Sequence, residues 1–190
     1  MYKKLLLSLA FLSLAIVAVA CSGTGSADTA DDDLSVTLQP NVPASDFTAK
    51  DVLTGQPVSL SRFEGSTVVL NLVNYGCNPA QSELVSRQLL AIRNLVEQGG
   101  DFVPVSVFCG CCPEDVLKGF AQENNLAWPW ILDADYSIVN QYVDYLTRYG
   151  YPTLIIIDKD QTIREVTGYL NQDQLSAKLK TISLQTASTN

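Results

Sequence analysis

The chain predicts an α/β fold in which a mixed central sheet is covered by helices on both faces. Two observations carry this expectation. Two apolar runs of strand length, "STVVLNLV" at 66–73 and "FVPVSVF" ending at Phe108, are each followed by a stretch with helical periodicity. Further on, "TLIIID" and "TIREVTG", joined by the turn "DKDQ", read as an antiparallel hairpin that leads into a last helix. Strand–helix–strand–helix followed by hairpin–helix places parallel and antiparallel pairs in one sheet, with helices packed on it.

The elements follow in order. Residues 1–20 have basic Lys3 and Lys4, an apolar stretch from Leu5 to Ala20 and small residues before Cys21, the pattern of an export signal. The apolar run falls short of the twenty or so residues that span a bilayer. "AVAC" resembles the lipobox of bacterial lipoproteins, although Ala18 stands where Leu is usual. The resemblance implies cleavage before Cys21, lipidation of that cysteine, and a protein held in the cell envelope on the extracytoplasmic side by acyl chains. Residues 21–43 are rich in Ser, Thr, Gly and Asp and poor in large apolar side chains. Such a stretch buries too little surface to offset its chain entropy, so it is expected to be a flexible acidic tether. Residues 44–184 have the size of one domain, followed by a tail at 185–190. The formal net charge is −8, and removal of Lys3 and Lys4 makes it more negative. No basic stretch is left to track phosphates, which argues against a nucleic-acid partner.

Within the domain, "PAQSELVSRQLLAIRNLVEQGG" from Pro79 sets Val85, Leu89, Ile92 and Val96 on one stripe, and Gly99-Gly100 ends the helix. The next strand spans about Pro104 to Phe108, with the proline at its start because it cannot donate to a ladder. Pro113 suits the first turn of a second helix that carries Val116 and Phe120 inward and stops near Asn124-Asn125. Asn171 with Gln174 forms a capping-box pattern, opening a helix that buries Leu175, Leu179 and Ile182.

The five cysteines include four that stand just past the first two strands: Cys77 in "GCNPAQSE", and Cys109, Cys111 and Cys112 in "CGCCPED". In an exported protein disulfides can persist, so these thiols are candidates for redox cycling. Cys77 lies at a helix start, where unpaired backbone N–H groups and the positive end of the dipole favour a thiolate. Cys112 precedes Pro113, making it an N-cap candidate, while Glu114 and Asp115 disfavour its ionisation.

"DFTAKDVLTGQPVSLSRFEGSTVVLNLVNYGC", "WPWILDADYSIVNQY", "YGYPTLIIIDKDQTI" and "TGYL" together resemble the thioredoxin-like redoxins of the AhpC/TSA and TlpA/ResA group. The resemblance implies a thioredoxin fold and thiol–disulfide oxidoreductase chemistry without an organic cofactor. Protein thiols or disulfides would be the substrates, and a redox donor protein the partner. It also implies that Tyr151-Pro152-Thr153 is the cis-proline loop that meets the substrate backbone, with Tyr75 beside the nucleophile. Asn71 takes the place of a buried Asp in thioredoxin. The family's Cys-x-x-Cys is Cys77-Asn78-Pro79-Ala80 here, so the first thiol is kept and the second is alanine. A resolving thiol must then come from elsewhere or from an external donor.

In the thioredoxin fold that the resemblance implies, the strand before Cys77 and the strand ending at Phe108 are parallel neighbours, so their ends lie on one sheet edge, under about 5 Å apart, close to the Cα spacing a disulfide requires. Three pairings are open: Cys77 with Cys111 or Cys112, Cys109 with Cys112, and a vicinal Cys111–Cys112 bridge. Two other functions stay beside the oxidoreductase. A thiol peroxidase is disfavoured because Leu70 and Asn74 replace the Pro and Thr of the peroxiredoxin motif. A soft-metal module would use Cys77, Cys109, Cys111 and Cys112 as ligands; no histidine is available to it. A redox-inactive binding module is a further alternative. Glu83, Trp128 and Trp130 have simpler readings, as an exposed helical carboxylate and two packing residues.

Overall fold

The computed structural model describes residues 41–76, 78–110 and 112–187. The export signal, Cys21, residues 1–40 of the leader and tether, Cys77, Cys111 and residues 188–190 lie outside them. The strands are β1 (Val42–Pro43), β2 (Thr48–Lys50), β3 (Pro57–Ser59), β4 (Val68–Val73), β5 (Val103–Cys109), β6 (Trp130–Asp133), β7 (Thr153–Ile157) and β8 (Thr162–Thr167). The helices are α1 (Pro79–Glu97), α2 (Glu114–Glu123), α3 (Val143–Tyr149) and α4 (Gln172–Ala187). β1 begins just before the expected domain start at 44, where it pairs with β8, and α4 runs past 184.

The main sheet has the order β1-β8-β7-β4-β5-β6, and β2 and β3 form a separate hairpin. β4, β5 and β6 are parallel, whereas β7 runs antiparallel to β4 and to β8, so the sheet is mixed as the sequence predicts. Alternation along β4 divides its side chains between two cores. Val69 and Val73 join Val85, Leu89 and Ile92 of α1, Leu117 of α2 and Leu175 of α4. Val68, Leu70 and Leu72 face the other way and join Val105 and Val107 of β5, with Val139 and Tyr142 of the 3-10 turn before α3. Burying each such aliphatic side chain stabilises the fold by about 1.5–3 kcal/mol.

Two local readings are corrected, and one stretch went unread. In α1 the stripe ends on Leu95, 7% exposed, rather than on Val96, which is 39% exposed. In α2 Leu117 and Ala121 are buried, Phe120 packs at the margin, and Val116 faces solvent. The reason is the helix start: Pro113 has extended backbone and serves as the N-cap, so the first helical residue is Glu114 and Cys112 lies outside the cap. The unread stretch is 130–149, which holds β6, the 3-10 turn Val139–Tyr142 and α3, none of which periodicity announces. The capping box at α4 is formed: Asn171 Oδ1 accepts from the Gln174 amide and Gln174 Oε1 from the Asn171 amide, each at 3.0 Å.

Candidate functional site

Because β4 and β5 are parallel and in register from Val68↔Val103 to Val73↔Phe108, both end on the same edge of the sheet. β7 runs antiparallel to β4, so its start, Thr153 opposite Leu72, lies on that edge too. Three sets of described residues therefore converge there: 74–76 after β4, Gly110 and Cys112 after β5, and the Tyr151-Pro152-Thr153 loop.

The first turn is fixed by small polar groups. Gly76 has φ +92°, a value that glycine adopts at little cost. Its N–H donates to Ser82 Oγ at 3.0 Å, and that hydroxyl donates to the Asn78 carbonyl at 2.9 Å. Asn78 is the N-cap of α1, and its Oδ1 accepts from the amides of Ala80 at 2.9 Å and Gln81 at 3.4 Å. Two of the free helix-start donors expected to face a thiolate are thus occupied by the cap. The dipole of α1 remains.

In the second loop Gly110 has φ +86°, and a Cβ there would stand 2.9 Å from the Tyr136 hydroxyl. Cys109 and Cys112, the two described cysteines, are free and buried. They are not brought together. Cys109 continues the alternation of β5 and packs with Val105 and Val107, whereas Cys112 belongs to the opposite cluster with Val73, Phe108 and Trp130. A Cβ on Gly76 would lie 3.9 Å from Cys112 Sγ, so this thiol abuts the first turn. Burial pushes the Cys112 thiol up from its ordinary value, and the Asp115 carboxylate pushes it further in the same direction. Burial likewise raises Cys109, with the Asp133 charge adding to it and a hydrogen bond from Tyr151 opposing.

The third loop carries a cis peptide between Tyr151 and Pro152. Pro152 and Thr153 are buried, and the Thr153 hydroxyl donates to the Gly150 carbonyl at 2.5 Å. Tyr75 is half-buried, its ring 5.2 Å from that of Phe120. Cys77 and Cys111 fall outside the described residues, so their flanks (Gly76 and Asn78, Gly110 and Cys112) define what is seen of them. Glu83 is exposed and pairs with Arg87 at 2.6 Å; Trp128 and Trp130 are buried, Trp128 donating to Ser106 Oγ at 3.0 Å. Among the described residues no three His, Cys, Asp or Glu side chains are grouped to hold a metal ion. A cavity of about 730 Å³ lies elsewhere, between the β2–β3 hairpin and the far end of α2, lined by Leu53, Phe63, Leu126 and Trp128.

Sequence reasoning missed Asp133 and Tyr136. Asp133 pairs in register with Cys109, and its carboxylate accepts from the amides of Ile138 and Val139. No pattern marks it, because the amides it caps lie five and six residues ahead.

A family model described as the AhpC/TSA family matches residues 40–166. No curated protein matches the chain. Solved structures with similar folds include a thiol:disulfide interchange protein of the thioredoxin family from Chlorobium tepidum, 16% identical, with a TM-score of 0.60 over 75% of this chain and 97% of that one. A DsbF homologue from Corynebacterium diphtheriae is 22% identical, with a TM-score of 0.58 over 73% of this chain and 85% of that one. The peroxidoxin BcpB from Mycobacterium tuberculosis is 20% identical, with a TM-score of 0.56 over 74% of this chain and 93% of that one. At these identities the likeness is one of fold, which is thioredoxin-like α/β with a mixed central sheet.

Proposed function

The chain belongs to the AhpC/TSA family, and from that premise we propose that it is a thiol–disulfide oxidoreductase acting on protein thiols or disulfides. Cys77 is the attacking thiol. Its thiolate attacks one sulfur of a substrate disulfide, forming a mixed disulfide and releasing the other substrate sulfur as a thiolate that takes up a proton. A thiol of the 109–112 loop, Cys111 or Cys112, then attacks the Cys77 sulfur. The substrate leaves fully reduced, and Cys77 and the loop cysteine are left as a disulfide for a partner dithiol protein to reduce. Two electrons pass from Cys77 and the loop thiol to the substrate, and the same exchange run backwards oxidises it.

The observation that supports this reading most is the closeness of Cys112 Sγ to the turn at Gly76, one residue before Cys77, where a Cβ added to the glycine would lie 3.9 Å from the sulfur, on the sheet edge that also carries the Tyr151-Pro152-Thr153 loop. With Ala80 in place of the usual second cysteine, the neighbouring loop is the available source of a resolving thiol. The names of the similar structures, a thiol:disulfide interchange protein and a DsbF homologue, point the same way. In this reading the protein works outside the cytoplasm, tethered through lipid on Cys21. No helix among the described residues is long and apolar enough to cross a membrane.

Reduction of insulin disulfides tests the proposal. Cys77→Ser is expected to abolish turnover, and the Cys111→Ser, Cys112→Ser double variant to accumulate a Cys77–substrate mixed disulfide. Full activity in Cys77→Ser would overturn it, and thiol-dependent consumption of hydrogen peroxide with no insulin reduction would favour a peroxidase.

A further inference from the structure

We propose that the cavity between the β2–β3 hairpin and α2 is a binding site for a small amphipathic carboxylate, an apolar acyl or aromatic body with one anionic head. The proposal does not depend on the thiol chemistry or on the sheet edge that carries it.

The cavity follows from how the hairpin is attached. β2 and β3 form their own two-stranded sheet. It meets the main sheet through the Asp51↔Ile131 bridge and the Val52 N–H, which donates to the Trp130 carbonyl at 2.6 Å. On the other side α2 ends at Glu123, and Asn125, at φ +54°, turns the chain towards β6. The space left between hairpin and turn has a volume of about 730 Å³, within the range of small-molecule pockets.

Its walls are mostly apolar, supplied by Leu53, Phe63, Leu126 and Trp128. The Trp128 N–H is engaged by Ser106 Oγ at 3.0 Å, so the indole has no free donor to give a ligand. Three ionisable side chains line the cavity: Asp51, Arg62 and Lys118. Asp51 is buried, and its carboxylate accepts from the amides of Leu53 and Trp130, each at 3.0 Å, and from the Thr54 hydroxyl. It is a wall group with its acceptors already in use. Lys118 is paired with Glu114 at 2.7 Å. Arg62 is exposed and makes no ion pair among the described residues. The result is an apolar pocket with one unpaired guanidinium at its rim. A guanidinium takes a carboxylate through two parallel N–H···O bonds, which fixes the head while the body covers the walls. A cationic ligand would meet Arg62 and Lys118 and find Asp51 engaged.

Calorimetric titration of the full-length protein with octanoate and with 2-naphthoate, each beside its neutral amide, tests the site. At least one carboxylate is expected to bind one to one with a Kd of about 1 mM or tighter. Its amide is expected to bind about three- to tenfold more weakly, the size of effect an exposed ion pair gives. Binding by octanoate alone supports the site and makes the body acyl; binding by 2-naphthoate alone supports it and makes the body aromatic. Arg62→Ala, a change at an exposed side chain, is expected to erase the difference between acid and amide, and Arg62→Lys to keep part of it. Binding is also expected to change tryptophan emission in the parent and to lose most of that change in Trp128→Phe. No binding by either acid overturns the proposal. So do an amide that binds as tightly as its acid, an acid-over-amide preference that survives Arg62→Ala, and an emission change undiminished in Trp128→Phe.

Discussion

Asn71 stands in the middle of β4 with no exposed surface, and neither its Oδ1 nor its Nδ2 meets a hydrogen-bond partner among the described residues. A buried amide left unpaired costs about 1–3 kcal/mol. Leucine is close to it in size and carries no such penalty. Asn71→Leu is therefore expected to raise the stability by about 1–2 kcal/mol, seen as a higher urea midpoint at unchanged slope. A lower midpoint would show that the amide is held by a partner. At this scale the cysteines were legible by count and position, but not by the face each one occupies. Ending the strand at Phe108 leaves Cys109 in a loop. One further residue of β5 commits its thiol to the Val105–Val107 face, and only strand pairing with Asp133 decides that.

α2 shows how an element can be right in kind and wrong in phase. Val116 with Phe120 and Leu117 with Ala121 are both spaced by four, and a shift of one residue in the helix start chooses between them. Pro113 makes that choice by taking the N-cap with extended backbone. β6 was hidden for another reason: its four residues carry no alternation, and their partner strand is set by the crossover through α2. The same helix start tunes the site. Asp115, in its first turn, adds its negative charge to the burial that raises the Cys112 thiol. Asp115→Asn removes that charge, so the pKa falls and more thiolate is present at a given pH. Iodoacetamide labelling of Cys112, followed by peptide mass across pH 7–10, is expected to move to lower pH in this variant. An unmoved profile would mean that burial alone sets the thiol.

Across the whole molecule the order of strands and helices, and the hairpin that leads into α4, were legible because each carries its own periodicity or turn chemistry. The convergence of three segments at one edge is a property of the sheet, reachable from sequence only through resemblance. One consequence is global. The folded state raises Cys109, Cys112, Tyr142, Tyr145 and Tyr151 above the ordinary 9.0 of a thiol and 10.0 of a phenol. Above about pH 9 the unfolded chain therefore releases protons that the folded chain keeps, and stability falls as pH rises. Under reducing conditions Tm is expected to hold from about pH 7 to 8.5 and to drop steadily towards about pH 10.5. A flat Tm through that window would contradict the burial of these groups.

The central claim is that Cys77 exchanges disulfides with the loop after β5 while Cys109 stays reduced. Air-oxidised protein, alkylated without reduction, digested and sequenced by fragmentation mass spectrometry, tests this most directly. The account predicts a peptide containing Cys77 joined to Cys111 or Cys112, with Cys109 carrying the alkyl group. A Cys109–Cys112 bridge with Cys77 alkylated would contradict it.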